Sequence, residues 1–269
     1  MTWPRISIVT PSYNQGHYLE QTILSVLGQN YPNLEYIIID GGSTDDSVQI
    51  IRKYADRIAY WVSEPDSGQS EALEKGFALA TGEIAAWINS DDYYEEGAFY
   101  KVARAYKQQP FAFFCGTCRM VDTEGKELCV LHTPKVTHRT LTRYWKPHFC
   151  PPQPSIFFRR VLLHELGGFD RSLHYAMDFD LWLRASRKYS FCHTSEHLSY
   201  YRVHGDSKTG STGGLQKFVP EWKKVISRSL QERALSEKGR YHVHENIFLL
   251  KKTVWQWWKR LTARVFASQ

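Results

Sequence analysis

Apolar residues in the first third of the chain form two alternating patterns, short continuous runs and groups with helical spacing. The continuous runs predict buried strands at Ile6–Val9, Leu34–Ile39, Ile58–Val62 and Ile84–Ile88. Residues three or four positions apart predict helices between these strands, at Leu19–Leu27, around Val48 and Ile51, and at Ser70–Ala80. This alternation is typical of a parallel sheet with helices on both faces.

The second half of the chain has a less regular pattern. Apolar runs at Phe111–Val121 and Leu128–Leu131 flank a turn and predict a hairpin. Further predictions are a proline-rich loop at Pro147–Pro154, strands at Ser155–Phe158 and Leu198–Val203, and a helix at Asp178–Lys188. Gly205–Gly214 is rich in Gly, Ser and Thr, which predicts a mobile segment. We predict one α/β domain over residues 1–214 and a mostly helical extension over residues 215–269.

Polar clusters follow three of the predicted strands, at residues 12–14, 40–45 and 89–92. Ligands of parallel sheets bind beyond the carboxyl ends of the strands, so the clusters should converge on one site. Asn89-Ser90-Asp91-Asp92 offers oxygen ligands for a divalent cation, although the same residue types are favoured at a helix N-cap. Asp40 can hydrogen-bond a ribose hydroxyl or a base N–H, and the glycines after it allow the backbone to approach a nucleoside closely. The alternative for part of this segment is a turn with a helix cap.

Charge and cysteine content narrow the function classes. The net charge of +6 is compatible with phosphorylated substrates or anionic lipid, while no zinc-finger, zipper or RNA-binding motif supports nucleic acid as a partner. No run approaches the about 20 apolar residues that span a bilayer, and no secretory signal is visible. We therefore expect a cytoplasmic protein with reduced thiols. The Cys115-x-x-Cys118 pair lacks the second pair of a zinc site.

The last segment, Lys251–Gln269, has five basic residues and no acidic one. Val254, Trp258, Leu261 and Val265 share one face of a helix drawn over this segment. That composition is typical of a helix lying on an anionic membrane surface, with docking onto the domain or a partner as the alternative. It predicts peripheral association with the inner face of a membrane.

The ordered set of polar motifs resembles glycosyltransferase family 2. The matching motifs are Thr10-Pro11-Ser12-Tyr13-Asn14, Asp40-Gly41-Gly42-Ser43-Thr44-Asp45, Glu64-Pro65-Asp66-Ser67-Gly68-Gln69, Asn89-Ser90-Asp91-Asp92, Gly167-Gly168-Phe169-Asp170, Met177-Asp178-Phe179-Asp180 and Tyr201-Arg202-Val203-His204. Any one motif is weak evidence, whereas the whole set, over about residues 5–206, is strong. The resemblance implies a single nucleotide-diphospho-sugar transferase domain of the A type, with a mostly parallel central sheet, followed by a helical C-terminal tail.

The resemblance also implies roles for individual residues. Asp178 matches the catalytic base. The alternative is a structural role, as the N-cap or an acidic residue in the first turn of a helix. Asp91 matches the main ligand of a divalent cation, Mn²⁺ or Mg²⁺, and His204 a further contact to the cation or diphosphate. Contacts to the nucleotide sugar are expected of Pro11, Ser12, Tyr13, Asn14, Asp40, Asp66, Gln69, Asn89 and Ser90. Contacts to the acceptor, or indirect roles, are expected of Asp92, Gln153, Asp180 and Arg202, with a plain loop role as the alternative for Gln153.

These roles suit an inverting sugar transfer. One carboxylate takes the acceptor proton while the hydroxyl attacks the anomeric carbon, and a cation offsets the charge on the departing diphosphate. We expect a transferase that uses a nucleotide-diphosphate sugar, with UDP-sugars favoured, and a saccharide or lipid-linked acceptor, in cell-surface polysaccharide or glycolipid synthesis. A non-catalytic nucleotide-sugar-binding protein is the alternative. A nucleotidyltransferase is less favoured because Ser12-Tyr13-Asn14-Gln15-Gly16 lacks a basic loop.

Overall fold

The computed structural model describes residues 2–144, 149–211 and 214–231. Within these ranges nine strands form one sheet, and they are β1 (Ile6–Ser12), β2 (Leu34–Asp40), β3 (Tyr60–Ser63), β4 (Ile84–Trp87), β5 (Tyr93–Tyr94), β6 (Phe113–Val121), β7 (Glu127–Leu131), β8 (Ile156–Arg159) and β9 (Phe191–Arg202). The helices are α1 (Gly16–Leu27), α2 (Ser47–Lys53), α3 (Gln69–Leu79), α4 (Ala98–Gln108), α5 (His138–Leu141), α6 (Val161–Glu165), α7 (Met177–Ala185) and α8 (Gly214–Gln231). Short 3₁₀ helices lie at Ala55–Arg57 and Gln153–Ser155.

The first four long strands form the predicted parallel half of the sheet. Their order is β3-β2-β1-β4, and Ser12 pairs with Asp40, so β1 and β2 end at the same level. β8 joins the two halves by pairing antiparallel with both β4 and β6. β9 then runs parallel to β6, β5 closes the edge, and β7 forms the predicted hairpin with β6. The sheet is therefore mixed, and its parallel half carries the polar clusters at one edge.

Both faces of β1, β2 and β4 are buried, whereas β3 at the edge is partly exposed. Alternate residues of β1 and β2 contribute to different cores, Val9 and Ile37 to one and Ile8 and Ile38 to the other. This two-sided burial is the reason that these strands read as continuous apolar runs. On one face α3 lies very close to β1, because a Cβ atom added at Gly76 would lie 2.4 Å from Cγ1 of Val9.

Several elements differ from the sequence-based expectations. β9 begins at Phe191 rather than Leu198. Its first half consists mainly of polar, partly exposed residues, so no apolar run marks it as a strand. β5, α4, α5 and α6 were not predicted. β5, α5 and α6 have only 2, 4 and 5 residues, so each carries a short apolar pattern. α4 is longer, and the helical spacing of its buried residues Ala98, Phe99, Val102 and Ala103 is a signal that could have predicted it.

The helical extension expected after residue 214 begins with α8, which packs on the main core. Trp222, Val225 and Ile226 are buried in the same cluster as Phe179 of α7. The predicted interfacial helix at Lys251–Gln269 lies outside the described residues. Among the helices that are described, none is both long and apolar enough to cross a membrane.

Candidate active site

Asp40 ends β2 and shapes the loop that follows it. Its fully buried carboxylate accepts hydrogen bonds from the backbone N–H of Ser43 (2.9 Å) and from the hydroxyls of Ser43 (2.5 Å) and Ser63 (2.7 Å). Asn14, with φ of 50°, ties this loop to the end of β1, because its Oδ1 accepts from the N–H of Thr44 at 2.8 Å. The predicted β1 and β2 clusters therefore form one cross-linked surface.

An open, polar region borders this surface. The side chain of Tyr13 is largely exposed, at 62%, whereas Ser12 is buried and its Oγ has no hydrogen-bond partner among the described residues. Asp66 lies directly against the loop, because a Cβ atom added at Gly41 would lie 2.9 Å from Asp66 Oδ2. Burial raises the pKa of Asp66, and the N–H of Gly68 opposes this by donating to Oδ1 at 2.9 Å. The region thus combines the exposed ring of Tyr13, the unpaired hydroxyl of Ser12 and the carboxyl of Asp66.

Asn89 stands at the centre of a chain of amide side chains. Its Oδ1 accepts from Nε2 of Gln69 at 2.6 Å, and its Nδ2 donates to Oε1 of Gln153 at 3.3 Å. Gln153 in turn donates from Nε2 to the carbonyl of Trp87 at 2.9 Å, so it is held against β4. The structure thus brings together Gln69, Asn89 and Gln153, three residues that are remote in sequence.

Asp91 and Asp92 have different environments. Asp92 is fully buried, and its Oδ1 accepts from the N–H of Arg202 at 2.9 Å. Burial, followed by the neighbouring charge of Asp91, raises the pKa of Asp92 well above its ordinary range. Asp91 is partly exposed, and its Oδ2 lies 3.1 Å from Nε2 of His204. Asp91, not Asp92, therefore presents a carboxylate beside an imidazole.

Arg202 holds the backbone of this loop. Its Nε donates to the carbonyl of Asp91 at 3.0 Å, and its guanidinium carbon lies 4.8 Å from the ring centroid of Tyr18 and 5.3 Å from that of Tyr93. From α1, the hydroxyl of Thr22 donates to the carbonyls of Ser90 (2.9 Å) and Asp92 (2.7 Å). Tyr18, Thr22 and Tyr93 are not among the predicted site residues, because no local pattern distinguishes them from ordinary helix or strand residues.

The Asp91–His204 pair fits a divalent cation whose remaining ligands come from substrate and water. Carboxylate oxygen suits Mg²⁺ and Mn²⁺, and imidazole nitrogen is a ligand of transition-metal ions. His204 is buried, its ring packs against Tyr18 at 4.6 Å, and its Nδ1 has no hydrogen-bond partner among the described residues. The described part of the chain contains no group of three or more His, Cys, Asp or Glu residues that could hold a metal without substrate.

Asp178 lies in the first turn of α7 and is partly buried. Burial raises the pKa of its carboxyl to about 6, against the opposing effects of the hydrogen bond from the N–H of Phe179 and the charge of Lys208. Asp180 is different, because its buried carboxylate is paired with Nη2 of Arg184 at 2.7 Å. Arg184 also donates to the carbonyl of Gly168 at 2.8 Å, so this pair braces a turn, which fits the indirect role expected of Asp180 better than acceptor contact.

Lys208 connects the segment after His204 to the rest of the site. Its Nζ donates to Oε1 of Gln69 and to the carbonyl of His174, at 2.7 Å in both cases. Its charge acts on both Asp91 and Asp178. The sequence analysis singled out Gly205–Gly214 as a segment but not Lys208 itself. The mobility of that segment stays a prediction.

Comparisons with known proteins agree with this architecture. The family model described as glycosyl transferase family 2 matches residues 7–166, more than half of the chain. An uncharacterized glycosyltransferase of Rickettsia prowazekii is 27% identical over 250 residues, which cover 89% of this chain and 77% of the relative. Hyaluronan synthase of Pasteurella multocida is 28% identical over 244 residues, 87% of this chain and 24% of the synthase.

Two solved structures share the fold at low sequence identity. Residues 1–349 of S. aureus TarS in complex with UDP match with a TM-score of 0.64 and 19% identity, covering 93% of this chain and 70% of that one. The mannosyltransferase PcManGT of Pyrobaculum calidifontis, in complex with GDP-Man and Mn²⁺, matches with a TM-score of 0.57 and 19% identity, covering 99% and 86%. The expected A-type fold is thereby confirmed. Since the family match also spans β1, β2 and β4, whose ends carry the polar clusters, the chain belongs to glycosyl transferase family 2 and is a sugar-transferring enzyme.

Proposed function

We propose that this transferase is an inverting enzyme in which Asp178 removes the proton of the acceptor hydroxyl. The observation that carries this proposal is the position of Asp178, a partly buried carboxyl in the first turn of α7, where the charge of Lys208 acts both on it and on Asp91 of the Asp91–His204 pair. Burial raises the pKa of this carboxyl to about 6. A base with this pKa is mostly ionised at neutral pH and binds a proton more strongly than an ordinary aspartate does. The family assignment argues against the nucleotidyltransferase and non-catalytic alternatives.

The donor in this proposal is a nucleotide-diphosphate sugar bound along the carboxyl edge of β1, β2 and β4. The exposed ring of Tyr13 is available to stack on a base, and the free Oγ of Ser12 can take part in a hydrogen bond. Support also comes from the solved neighbours, which bind UDP, UDP-GlcNAc and GDP-Man. The two UDP ligands belong to one neighbour, TarS, and GDP-Man to the other, so the preference for a UDP-sugar rests on the first of these two proteins.

Asp91 and His204 are the residues that would hold Mn²⁺ or Mg²⁺, and the Mn²⁺ complex of PcManGT supports this choice. A cation bound there supplies positive charge beside the departing diphosphate. Asn89 contributes no negative charge, and its amide is already engaged with Gln69 and Gln153. Diphosphate and water oxygens would therefore complete the ligand set.

The reaction then needs only one protein carboxylate. Asp178 accepts the proton of the acceptor hydroxyl as its oxygen forms a bond to the anomeric carbon. The bond from that carbon to the diphosphate breaks, and its electron pair leaves with the nucleoside diphosphate. A single displacement of this kind inverts the anomeric configuration, so no second carboxylate is required to form a covalent intermediate.

A donor screen tests the proposal. Purified protein is incubated with UDP- and GDP-sugars and with Mn²⁺, Mg²⁺ or EDTA, and nucleotide diphosphate release is measured. We expect release from one class of donor, dependent on metal. The anomeric configuration of the transferred sugar is then read by NMR spectroscopy. A product that retains the donor configuration contradicts the inverting mechanism, and full release in EDTA contradicts the metal.

A finer part of the proposal concerns the acceptor and rests on sequence alone. The basic, Trp-containing segment Lys251–Gln269 supports a lipid-linked acceptor at an anionic membrane surface, in polysaccharide or glycolipid synthesis. Deleting residues 251–269 should abolish binding to vesicles that contain anionic lipid while leaving donor hydrolysis unchanged. If the full-length protein does not bind such vesicles at low salt, this part of the proposal is wrong.

A further inference from the structure

The backbone that leads into α7 is held by a side chain of α8. Oε1 of Glu221 accepts from the N–H of His174 at 2.9 Å, and Oε2 accepts from the N–H groups of Tyr175 (2.7 Å) and Ala176 (2.8 Å). Ala176 directly precedes α7, whose first turn contains Asp178. One carboxylate therefore satisfies three successive backbone donors two to four residues before the proposed base.

Lys208 binds a carbonyl group of the same backbone segment. Its Nζ donates to the carbonyl of His174 while also donating to Gln69, which belongs to the Asn89 network. The N–H and the carbonyl of one residue, His174, are thus bound by two charged side chains from separate parts of the chain. Glu221 lies beyond the residues matched by the family model, and so does Lys208.

We propose that Glu221 and Lys208 form a two-sided clamp on His174–Ala176 that positions the Asp178 carboxylate, which makes α8 part of the catalytic unit. Glu221 and Lys208 are positioning residues in this proposal, which rests on the role proposed for Asp178 as base. Backbone amides bound by a carboxylate form charge-assisted hydrogen bonds, which are shorter and stronger than neutral ones. A misplacement of about 1 Å can cost about 100-fold in rate, so such anchoring has a direct effect on turnover.

The clamp also affects the charge state of Asp178. The titratable groups around this carboxyl are Glu221, Lys208, Cys150 and Tyr201. The negative charge of Glu221 raises the pKa of Asp178, and the positive charge of Lys208 lowers it. Removing one charge or the other should therefore shift that pKa in opposite directions, which a loss of fold stability alone would not do.

The test compares Glu221→Gln and Lys208→Met in the full-length enzyme, with kcat measured across pH. For Glu221→Gln we expect kcat to fall about 10-fold at an unchanged donor KM, with the acidic limb of the profile moved to lower pH. For Lys208→Met we expect the acidic limb at higher pH and a higher donor KM, because the contact with Gln69 is also lost. Arg228→Gln is the matched control, since Arg228 lies on the same helix and its printed partner is a side chain, the Asp170 carboxylate at 2.8 Å, rather than the backbone N–H groups that Glu221 binds.

Amide hydrogen exchange provides a readout that does not depend on activity. Exchange at His174–Ala176 should accelerate in Glu221→Gln and not in Arg228→Gln. Unchanged exchange together with an unchanged pH profile overturns the clamp. If Asp178→Asn keeps full activity, the assignment of Asp178 as the base is wrong. If Asp178→Asn is inactive but Glu221→Gln has the same kinetics as the wild-type enzyme, only the clamp is wrong. Lys208 is exposed, so Lys208→Met tests the other half of the clamp if Glu221→Gln does not fold.

Discussion

The two edges of the parallel sheet differ in how completely their buried polar groups are hydrogen-bonded. At the amino edge, the carboxylate of Glu35 accepts from the hydroxyl of Ser7 (2.5 Å) and from the N–H (2.7 Å) and hydroxyl (2.8 Å) of Thr81. Arg5 pairs with it at 2.9 Å. Burial acts against ionisation, but these hydrogen bonds and the arginine hold the pKa of Glu35 below its ordinary value of 4.5.

The carboxyl edge leaves comparable groups without partners. Ser12 Oγ and His204 Nδ1 are buried and have no hydrogen-bond partner among the described residues. Burial raises the pKa of Asp92 at this edge and, at the nearby start of α7, that of Asp178. Buried polar groups in folded proteins are usually satisfied, so an edge with unsatisfied ones is where a ligand is expected. At the amino edge the buried carboxylate is fully paired, whereas at the carboxyl edge the paired Asp40 lies near groups that have no partner, as the proposed substrate site requires.

The largest effect on turnover is expected for Asp178→Asn. Removing a general base costs about 10²–10⁴-fold in rate, and donor binding should persist. In the wild-type enzyme kcat should decline as pH falls below about 6, because protonation of Asp178 removes the base. Steady-state kinetics across pH check both points, with the exposed, distant Asp56→Asn as control. A variant that keeps near wild-type transfer would assign the base to another residue.

Asp91→Ala should have the next largest effect. Losing one group that stabilises developing charge costs about 10²–10³-fold in kcat. Metal-dependent binding of the nucleotide should be lost as well, because Asp91 is one of two protein ligands in the proposed set. Calorimetric titration of UDP with and without Mn²⁺ measures this. Equal affinity under both conditions in the wild-type enzyme would remove the cation from the proposal.

Arg202→Lys should have a smaller, selective effect at the same edge. Lysine keeps the charge but cannot make the several hydrogen bonds of the guanidinium, which hold the carbonyl of Asp91 in place. Changes beside a metal ligand typically cost about 10–100-fold in metal affinity, and we expect the lower end of that range. The Mn²⁺ concentration that gives half-maximal activity measures the shift. An unchanged value would mean that Arg202 serves stability alone.

Glu35→Gln, at the amino edge, should leave turnover per folded molecule unchanged and lower stability by about 1–3 kcal/mol, because buried donors lose a charged acceptor. The pKa of Glu35 is lowered in the folded state, so its contribution is present above pH 4.5 and is lost as pH falls through the folded value. Denaturant unfolding of both proteins at pH 7 and at pH 3 should therefore give a smaller difference at pH 3. A loss of turnover without a loss of stability would contradict the division between the two edges.

The sequence by itself determined the parallel half of the sheet and placed the polar clusters after its strands. Strands β1, β2 and β4 are buried on both faces, so each is a continuous apolar run, and the polar residues after each run lie at the same edge. These features are local, because a strand and the loop after it are adjacent in the chain. The same local patterns predicted the β6–β7 hairpin and the helix containing Asp178.

The tertiary structure alone decided which side chains act together. Asp91 meets His204 across 113 positions of sequence, and Asp92 meets Arg202 across 110. Adjacent residues in an acidic cluster look equivalent in sequence, and only packing buries Asp92 and leaves Asp91 partly exposed. Glu221 carries no local signal at all, because its partners are backbone N–H groups, which every residue except proline possesses. Contacts of this kind depend on how α8 docks against α7, and docking is a property of the folded core rather than of any segment.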